Sequence, residues 1–386
     1  MSPDIRAAAR RIGSVVVAPN CLRGYATSVE VADALAVGVR RALPHASVTV
    51  LPLADGGDGT LSVLHEVLGG RLMPVTAQDA AGRAQRISWL ALDSRTAVVE
   101  TASICGLGGT SPRNLRPLAA SSAGVGTVIA HAIANGAKTV LLALGGTAVV
   151  DGGAGALHAL GARFLDSAGK RVVPVPSTLR EAALIDLAPA RRLLDGVTLR
   201  LLPDVRPSLA ENLAFFGAQK GMTEQDQPIA AGALSQLVGL LAAAGDEAAP
   251  ARFRSGWFGA GGGIGFGLAA AATAEAKPGA EALLDMVDRT GAVRSADLAV
   301  TAEGKVDEST WRGKLPGTIA SRRAADGLRT GVVAIRFSGR SPDPLIAHHP
   351  VADPPPASPL TGAALWSGLA DAAARSCTPF AAVMPS

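Results

Sequence analysis

Short runs of β-branched and aliphatic residues alternate with stretches of helical period from the start of the chain. Ser14 to Ala18 is an apolar run that Pro19 ends, and it reads as a strand. Thr27-Ser28-Val29-Glu30 is a capping box: the threonine hydroxyl takes the amide proton three residues on, and the glutamate returns to the cap amide. The helix it predicts carries Val31, Leu35, Val39 and Ala42 on one face, with Pro44 just past its end. Ser47 to Leu53 reads as a second strand, and Thr60 to Leu68 as a helix closed by Gly69. A β-α-β-α opening predicts a parallel sheet.

After Gly70 the pattern changes, and Arg71 to Val99 reads as short, irregular strands. A helix is predicted from Gly124 towards Asn135, with Gly136 as its C-cap, and then a buried strand over Thr139 to Leu144. Thr198 to Leu202 is a further strand, and Pro228 to Ala244 an alanine-rich helix. The glycine-rich stretch Gly259 to Gly267 leads into a helix towards Ala276. Regular alternation resumes with strands at Leu298 to Thr301 and Val332 to Phe337, a helix begun by Pro316, and a closing helix over Thr361 to Ser376. The proline-rich segment from Ser341 to Pro359 reads as irregular surface chain, and His348-His349 within it as surface residues. The return of regular alternation places both chain ends in one domain, with the middle inserted as a second.

Composition narrows this picture. Hydrophobic residues make up 48% of 386 and aromatics 3%, so two cores must be built from aliphatic side chains, as suits parallel sheets covered by helices. The net charge of +4 comes without a basic run, so nucleic-acid binding is not favoured. Cys21, Cys105 and Cys377 are far apart and odd in number, which argues against a disulfide framework or zinc site and for a reducing cytoplasm. Val15 to Ala18 is too short for a signal segment, and no apolar run reaches the ~18 residues of a membrane span.

The 45 glycines cluster in knots after apolar runs, with carboxylates inside them. Glycine lets the backbone approach phosphate, and a following helix N-terminus offers amide protons. Carboxylates in the same knots hold Mg²⁺, and phosphoryl transfer needs chiefly positioned phosphates, a metal and cations. The sharpest knot is Asp55-Gly56-Gly57-Asp58-Gly59, against which stands an ordinary tight turn with a helix cap. Gly145 to Gly153 is no P-loop, because no Gly-Lys-Ser/Thr follows, and Gly259 to Gly267 lacks the GxGxxG spacing, so its alternative is a flexible inter-domain loop. Arg23 is suited to a carboxylate or phosphate, Lys220 sits beside a glycine, and Glu303 to Lys314 sets acids and bases together, each with a solvated or purely structural alternative. No GxSxG elbow and no metal-spaced histidines are present.

In collinear order these pieces resemble the bacterial glycerate kinase family over nearly the whole chain. Val17 to Gly24 is similar to the family's APDSFKG opening, and Ala54 to Thr60 to its ADGGEGT signature. Glu100-Thr101-Ala102-Ser103 with Gly106-Leu107, Ser121 to Gly126 and Leu144 to Gly153 resemble further segments. So do Asp204-Val205, Phe216 to Gly221, and Glu303 to Asp307 with Arg312-Gly313-Lys314. The resemblance implies phosphorylation of glycerate, typically at the 2-hydroxyl, by ATP with Mg²⁺. It also implies a cleft between a flavodoxin-like, parallel-sheet α/β domain (residues 1–70 and 290–386) and an inserted α/β domain (residues 71–289).

On this basis Asp55, Asp58 and Asp151 are expected at the metal. Gly145, Gly146, Thr147, Gly152, Gly153, Gly261, Gly262, Gly263 and Glu303 are expected at the nucleotide. Asn20, Arg23, Ser121, Ser122, Arg312 and Lys314 are expected at the substrate, and Asp204, Lys220, Asp307 and Arg23 in the chemistry. A small hydroxy acid is the expected partner, with no nucleic acid or membrane, for a cytoplasmic monomer or homodimer. Several positions depart from the family pattern. Asn20, Cys21 and Arg23 stand for Asp, Ser and Lys, and Val149-Val150 for Thr-Asn. Such changes at polar contacts alter substrate choice. A different hydroxy-carboxylate acceptor in a specialised pathway is therefore the alternative, beside a non-catalytic nucleotide- or acid-binding protein. A nicotinamide-dependent oxidoreductase is disfavoured by the missing GxGxxG.

Overall fold

The computed structural model describes residues 12–108, 111–339, 341–352 and 360–381. In chain order the strands are β1 (Ser14–Val17), β2 (Ser47–Val50), β3 (Arg71–Gln78), β4 (Ala84–Ala91), β5 (Thr96–Glu100), β6 (Thr139–Ala143) and β7 (Arg163–Leu165). They continue as β8 (Leu184–Asp186), β9 (Thr198–Leu202), β10 (Thr273–Ala276), β11 (Leu298–Val306), β12 (Arg329–Phe337) and β13 (Ile346–Pro350). The chain divides into two units, Met1–Ala54 with Leu283–Ser386, and Asp55–Ala282.

The first unit is built on a five-stranded sheet in the order β13-β12-β11-β1-β2, every pair parallel. Counted within the unit, this is the flavodoxin-like order 2-1-3-4-5, whose switch point lies between β1 and β11. The helix Ser28–Ala42 starts at Thr27 with both halves of the capping box formed. It packs on the closing helix Gly362–Ala381, and Gly38 permits the approach: a Cβ there would lie 1.9 Å from the Ala370 carbonyl oxygen. Both helices share a core with Val333 and Ile335 of β12. The helix Leu315–Ala324 places Ala320 against Val332 and Ala334, on the other face of that strand. Both faces are thus covered, as a continuous apolar strand requires.

The second unit holds a six-stranded sheet in the order β10-β9-β6-β5-β4-β3 and a small β7-β8 hairpin. β10, β9, β6 and β5 run parallel, while β4 and β3 close one edge antiparallel. The segment expected to hold short, irregular strands therefore forms a regular meander. Asp79 sets its first turn by accepting the Ala81 and Arg83 amides at 2.8 and 2.9 Å.

Other expectations shift for tertiary reasons. The helix expected to run to Ala276 stops at Leu268, and the chain returns as β10 in register with β9. Alanine favours helix locally, and pairing at the open sheet edge beside β9 overrides that preference. Ile346–Pro350 forms an edge strand inside the segment read as irregular, which leaves His348 and His349 half-buried; residues 353–359 lie outside the described part. The helix Thr60–Leu68 packs on β4 and β5, so residues 55–70 go with the second unit.

Candidate active site

In the second unit the parallel strands β5, β6 and β9 end at Glu100, Ala143 and Leu202, and the loops leaving these ends carry most of the predicted chemistry. The carboxyl ends of parallel strands are where ligands sit in open α/β sheets. The Asp55–Thr60 turn joins this edge through the Gly145 amide, which donates to the Gly56 carbonyl at 2.9 Å. Asp55 is buried and accepts from the Gly57 amide at 3.2 Å. Asp58 is half-buried beside Gly146, where a Cβ would sit 3.0 Å from its Oδ1. Asp204 lies against the preceding glycine: a Cβ on Gly145 would come within 2.6 Å of its Oδ2. Gly146 also holds a φ of +70°, so side chains are excluded where the two carboxylates approach.

Lys220 follows the helix Leu209–Phe216, whose start is fixed by a capping box between Ser208 and Glu211. The lysine is 3% exposed, its Nζ donates to the Val149 carbonyl at 2.8 Å, and it lies 3.4 Å from Thr147 Oγ1. Burial pulls its pKa down to about 8, against the opposing influence of Cys105, Asp204 and Asp151. Asp55, Asp58, Gly145, Gly146, Thr147, Asp204 and Lys220 are therefore brought to one edge of one unit.

Asp151 sits in a hydrogen-bond network of its own. It is wholly buried, and its Oδ2 accepts from the Ser122 amide and hydroxyl, both at 2.8 Å, and from the Gly155 amide at 3.1 Å. Its Oδ1 accepts from the Gly153 amide at 3.1 Å, and Ser122 Oγ in turn accepts from Ala156 at 2.9 Å. Burial raises the Asp151 pKa, and these bonds oppose the rise. Asp151 and Ser122 thus tie together the starts of the helices Ala123–Ala134 and Ala154–Ala159. Ser121 Oγ accepts from the Ala123 amide at 3.2 Å in the same helix start.

Gly261, Gly262 and Gly263 have φ of +64°, +66° and +84°, a left-handed turn that only glycine adopts without cost. The turn is buried against the Gly145–Gly153 loop: Gly152 donates to the Gly262 carbonyl at 3.0 Å, and a Cβ on Gly262 would lie 1.9 Å from the Val149 carbonyl oxygen. Gly152 and Gly153 likewise turn their open sides to Leu237 and to the Ile264 carbonyl. This stretch is not the flexible linker that its composition allows. It is a packed support beneath the strand-end loop.

In the first unit Asn20 and Arg23 follow β1 at the switch point. Asn20 is buried, and its Oδ1 accepts from the Cys21 amide at 2.9 Å, while Arg23 is exposed in the turn between Leu22 and Ala26. On β11, Glu303 receives Lys314 Nζ at 2.9 Å and Thr310 Oγ1 at 3.0 Å. Asp307 accepts from the Ser309 amide and hydroxyl at 3.0 and 2.6 Å and pairs with Lys305 at 2.9 Å. Burial alone would raise its carboxyl, but the bonds from Ser309 and Lys305 prevail and hold it at about 2. The Arg312 side chain lies outside the described part. Among the described residues no three His, Cys, Asp or Glu side chains gather as a metal-holding group, and no helix is long and apolar enough to cross a membrane.

The glycerate kinase family pattern matches residues 15–345. The chain belongs to the glycerate kinase family. It is a glycerate-kinase-like phosphotransferase with an alcohol acceptor. It is 32% identical over 329 residues to the glycerate kinase of Bacillus subtilis, covering 84% of this chain and 85% of that one. It is 30% identical over 314 residues to the glycerate 2-kinase of Escherichia coli, covering 80% of this chain and 81% of that one. A crystal structure of a Salmonella typhimurium protein assigned as glycerate kinase 2 superposes with a TM-score of 0.74 at 27% identity, covering 95% of this chain and 97% of that one.

Against the family's pattern, Val149 and Val150 occupy wholly buried positions in the second unit's core, so the exchange of two polar groups there is accommodated by packing. Glu100 was missing from the residues expected to act. It is a buried carboxylate at the end of β5, and burial raises its pKa to about 7, with the Leu61 amide opposing and Asp58 adding to the rise. The available signal was an acid directly after the apolar run Ala97-Val98-Val99.

Proposed function

We propose that this chain transfers the γ-phosphoryl group of ATP to a hydroxyl of glycerate or a related small hydroxy acid, with Mg²⁺, in the cytoplasm. The observation that carries the reading is the convergence of Asp58, Asp204 and the buried Lys220 on the glycine-lined loop Gly145–Val149. Mg²⁺ is bound through one or two carboxylates plus substrate phosphates and needs no cage of protein ligands, so Asp58 with Asp55 fits it. When bound, the ion would offset the negative charge of the phosphates. The amides at Gly145, Gly146 and Thr147 are the groups proposed to face phosphate. Lys220, held on the Val149 carbonyl, supplies a fixed positive charge to the transferring group. Asp204 orients the acceptor hydroxyl and takes its proton.

The test is ADP release with ATP, Mg²⁺ and D-glycerate, with the product identified by NMR. Glycerate-dependent turnover is expected, and the product names the hydroxyl. ATP binding without turnover on glycerate or on a panel of hydroxy acids would overturn the reading in favour of a binding protein. Turnover confined to another acid would support the second reading, a changed acceptor, which the substitution of Asn20 for the family's aspartate motivates.

A further inference from the structure

The helix Thr60–Leu68 begins without a cap of its own. Its N-cap is Gly59, left-handed at φ +86°, with no side-chain cap bond and no acidic residue in the first turn. The first amides of a helix need acceptors, and a serine, threonine or aspartate at the cap is the usual source. Glu100 stands where that acceptor is missing, although it lies 39 residues away in sequence: its Oε2 accepts from the Leu61 amide at 2.8 Å. The side chain ignores the short helix Thr101–Cys105 at whose N-cap it sits. A buried carboxylate has therefore been drawn off its own helix to close another.

What it closes is the turn that carries Asp58. That turn is pinned at three points: Asp55 on the Gly57 amide, Gly56 on the Gly145 amide, and Glu100 on the helix that follows. Thr60 Oγ1 adds a bond to the Gly57 carbonyl at 2.8 Å. Loss of the third pin frees the side of the turn on which Asp58 stands, while the other two still hold Asp55 and Gly56. We infer that Glu100 is a positioning residue that fixes Asp58 against Gly146 by capping the helix behind it. This rests on the reading of Asp58 proposed above.

The side-chain chemistry of three variants separates the roles. Glu100→Ala removes the acceptor. Glu100→Asp keeps the charge but withdraws it by one methylene. Glu100→Gln keeps an oxygen that still accepts from Leu61. The expected result is a kcat reduced roughly ten- to hundredfold in Glu100→Ala and Glu100→Asp, the scale of a charged hydrogen bond lost at a reacting site. Glu100→Gln should restore most of the turnover, and KM for D-glycerate should stay within about threefold, since only misplacement at the reacting end is predicted.

A core variant of similarly lowered melting temperature, Leu241→Ala in the helix Asp226–Ala243, should keep its kcat, and an equal loss of kcat there would mean that Glu100 acts through stability alone. In an Asp58→Asn background, Glu100→Ala should add less than about a twofold loss, because both changes remove the same contribution. Wild-type turnover in Glu100→Asp, or an undiminished loss in the Asp58→Asn background, overturns the inference alone. Wild-type turnover in Asp58→Asn itself overturns the Asp58 reading, and this inference with it.

Discussion

The two units solve the same problem, holding charge at the ends of parallel strands, by opposite means. In the second unit the carboxylates of Asp151 and Glu100 are held by backbone amides, and the Lys220 ammonium by a backbone carbonyl. In the first unit side chains do most of the holding: the Lys314 ammonium and the Thr310 hydroxyl bind Glu303, and the Lys305 ammonium and the Ser309 hydroxyl bind Asp307, which also accepts from the Ser309 amide. A backbone partner cannot leave without local unfolding, whereas a lysine side chain can rotate to a new anion. The second unit therefore presents a preset arrangement and the first an exchangeable one. Preset charge is the arrangement that stabilises a developing transition state at no reorganisation cost.

The sharpest way to break this comparison is Asp151→Ala. It leaves the Ser122, Gly153 and Gly155 donors buried without an acceptor, so unfolding free energy should fall by about 3 kcal/mol or more, read by urea denaturation. A loss below about 1 kcal/mol would mean the amide-held arrangement is not a structural hub.

Lys220→Met comes next. Turnover should fall on the order of a hundredfold or more, while stability is unchanged or improved because a buried charge has gone. Retained turnover would remove Lys220 from the chemistry. Its pH behaviour sharpens the point. The folded-state pKa of about 8 lies below the ordinary lysine value of 10.5, so the unfolded chain binds the extra proton between these values. The Lys220 contribution to stability should therefore rise with pH across that window, and Met at 220 should flatten it. Turnover that needs the ammonium should fall above pH 8 by about tenfold per pH unit, and Lys220→Arg should move that limb upward, though at a lower maximal rate.

The smallest effect is expected in the first unit. Lys314→Met should lower stability by about 1–2 kcal/mol, less than Asp151→Ala, because the Thr310 hydroxyl still donates to the buried Glu303. A stability loss matching that of Asp151→Ala would erase the distinction between the units.

Local order was legible wherever a few neighbouring residues decide it. The capping box at Thr27, the helix from Thr60 to Leu68 and the apolar strand after Lys138 are all present in the structure. The glycine knots were legible as chemistry, since collinear glycines and acids carry it in any register. The separation of roles among the acids was not. Asp55, Asp58 and Asp151 look alike as acids beside glycines, yet Asp151 is filled by donors from Ser122, Gly153 and Gly155 while Asp58 stands half-buried beside Gly146. The closure of the Leu61 amide by Glu100, and the conversion of Thr273–Ala276 from expected helix to edge strand, join residues far apart in sequence.

By itself the sequence determined the alternation of strands and helices, the palette of the cores and the positions of glycine-carboxylate turns, because short-range sterics and periodicity suffice for these. Only the tertiary structure decided which carboxylates are saturated and which face the loop. Desolvation and hydrogen-bond satisfaction are set by neighbours in space, and no spacing along the chain encodes them.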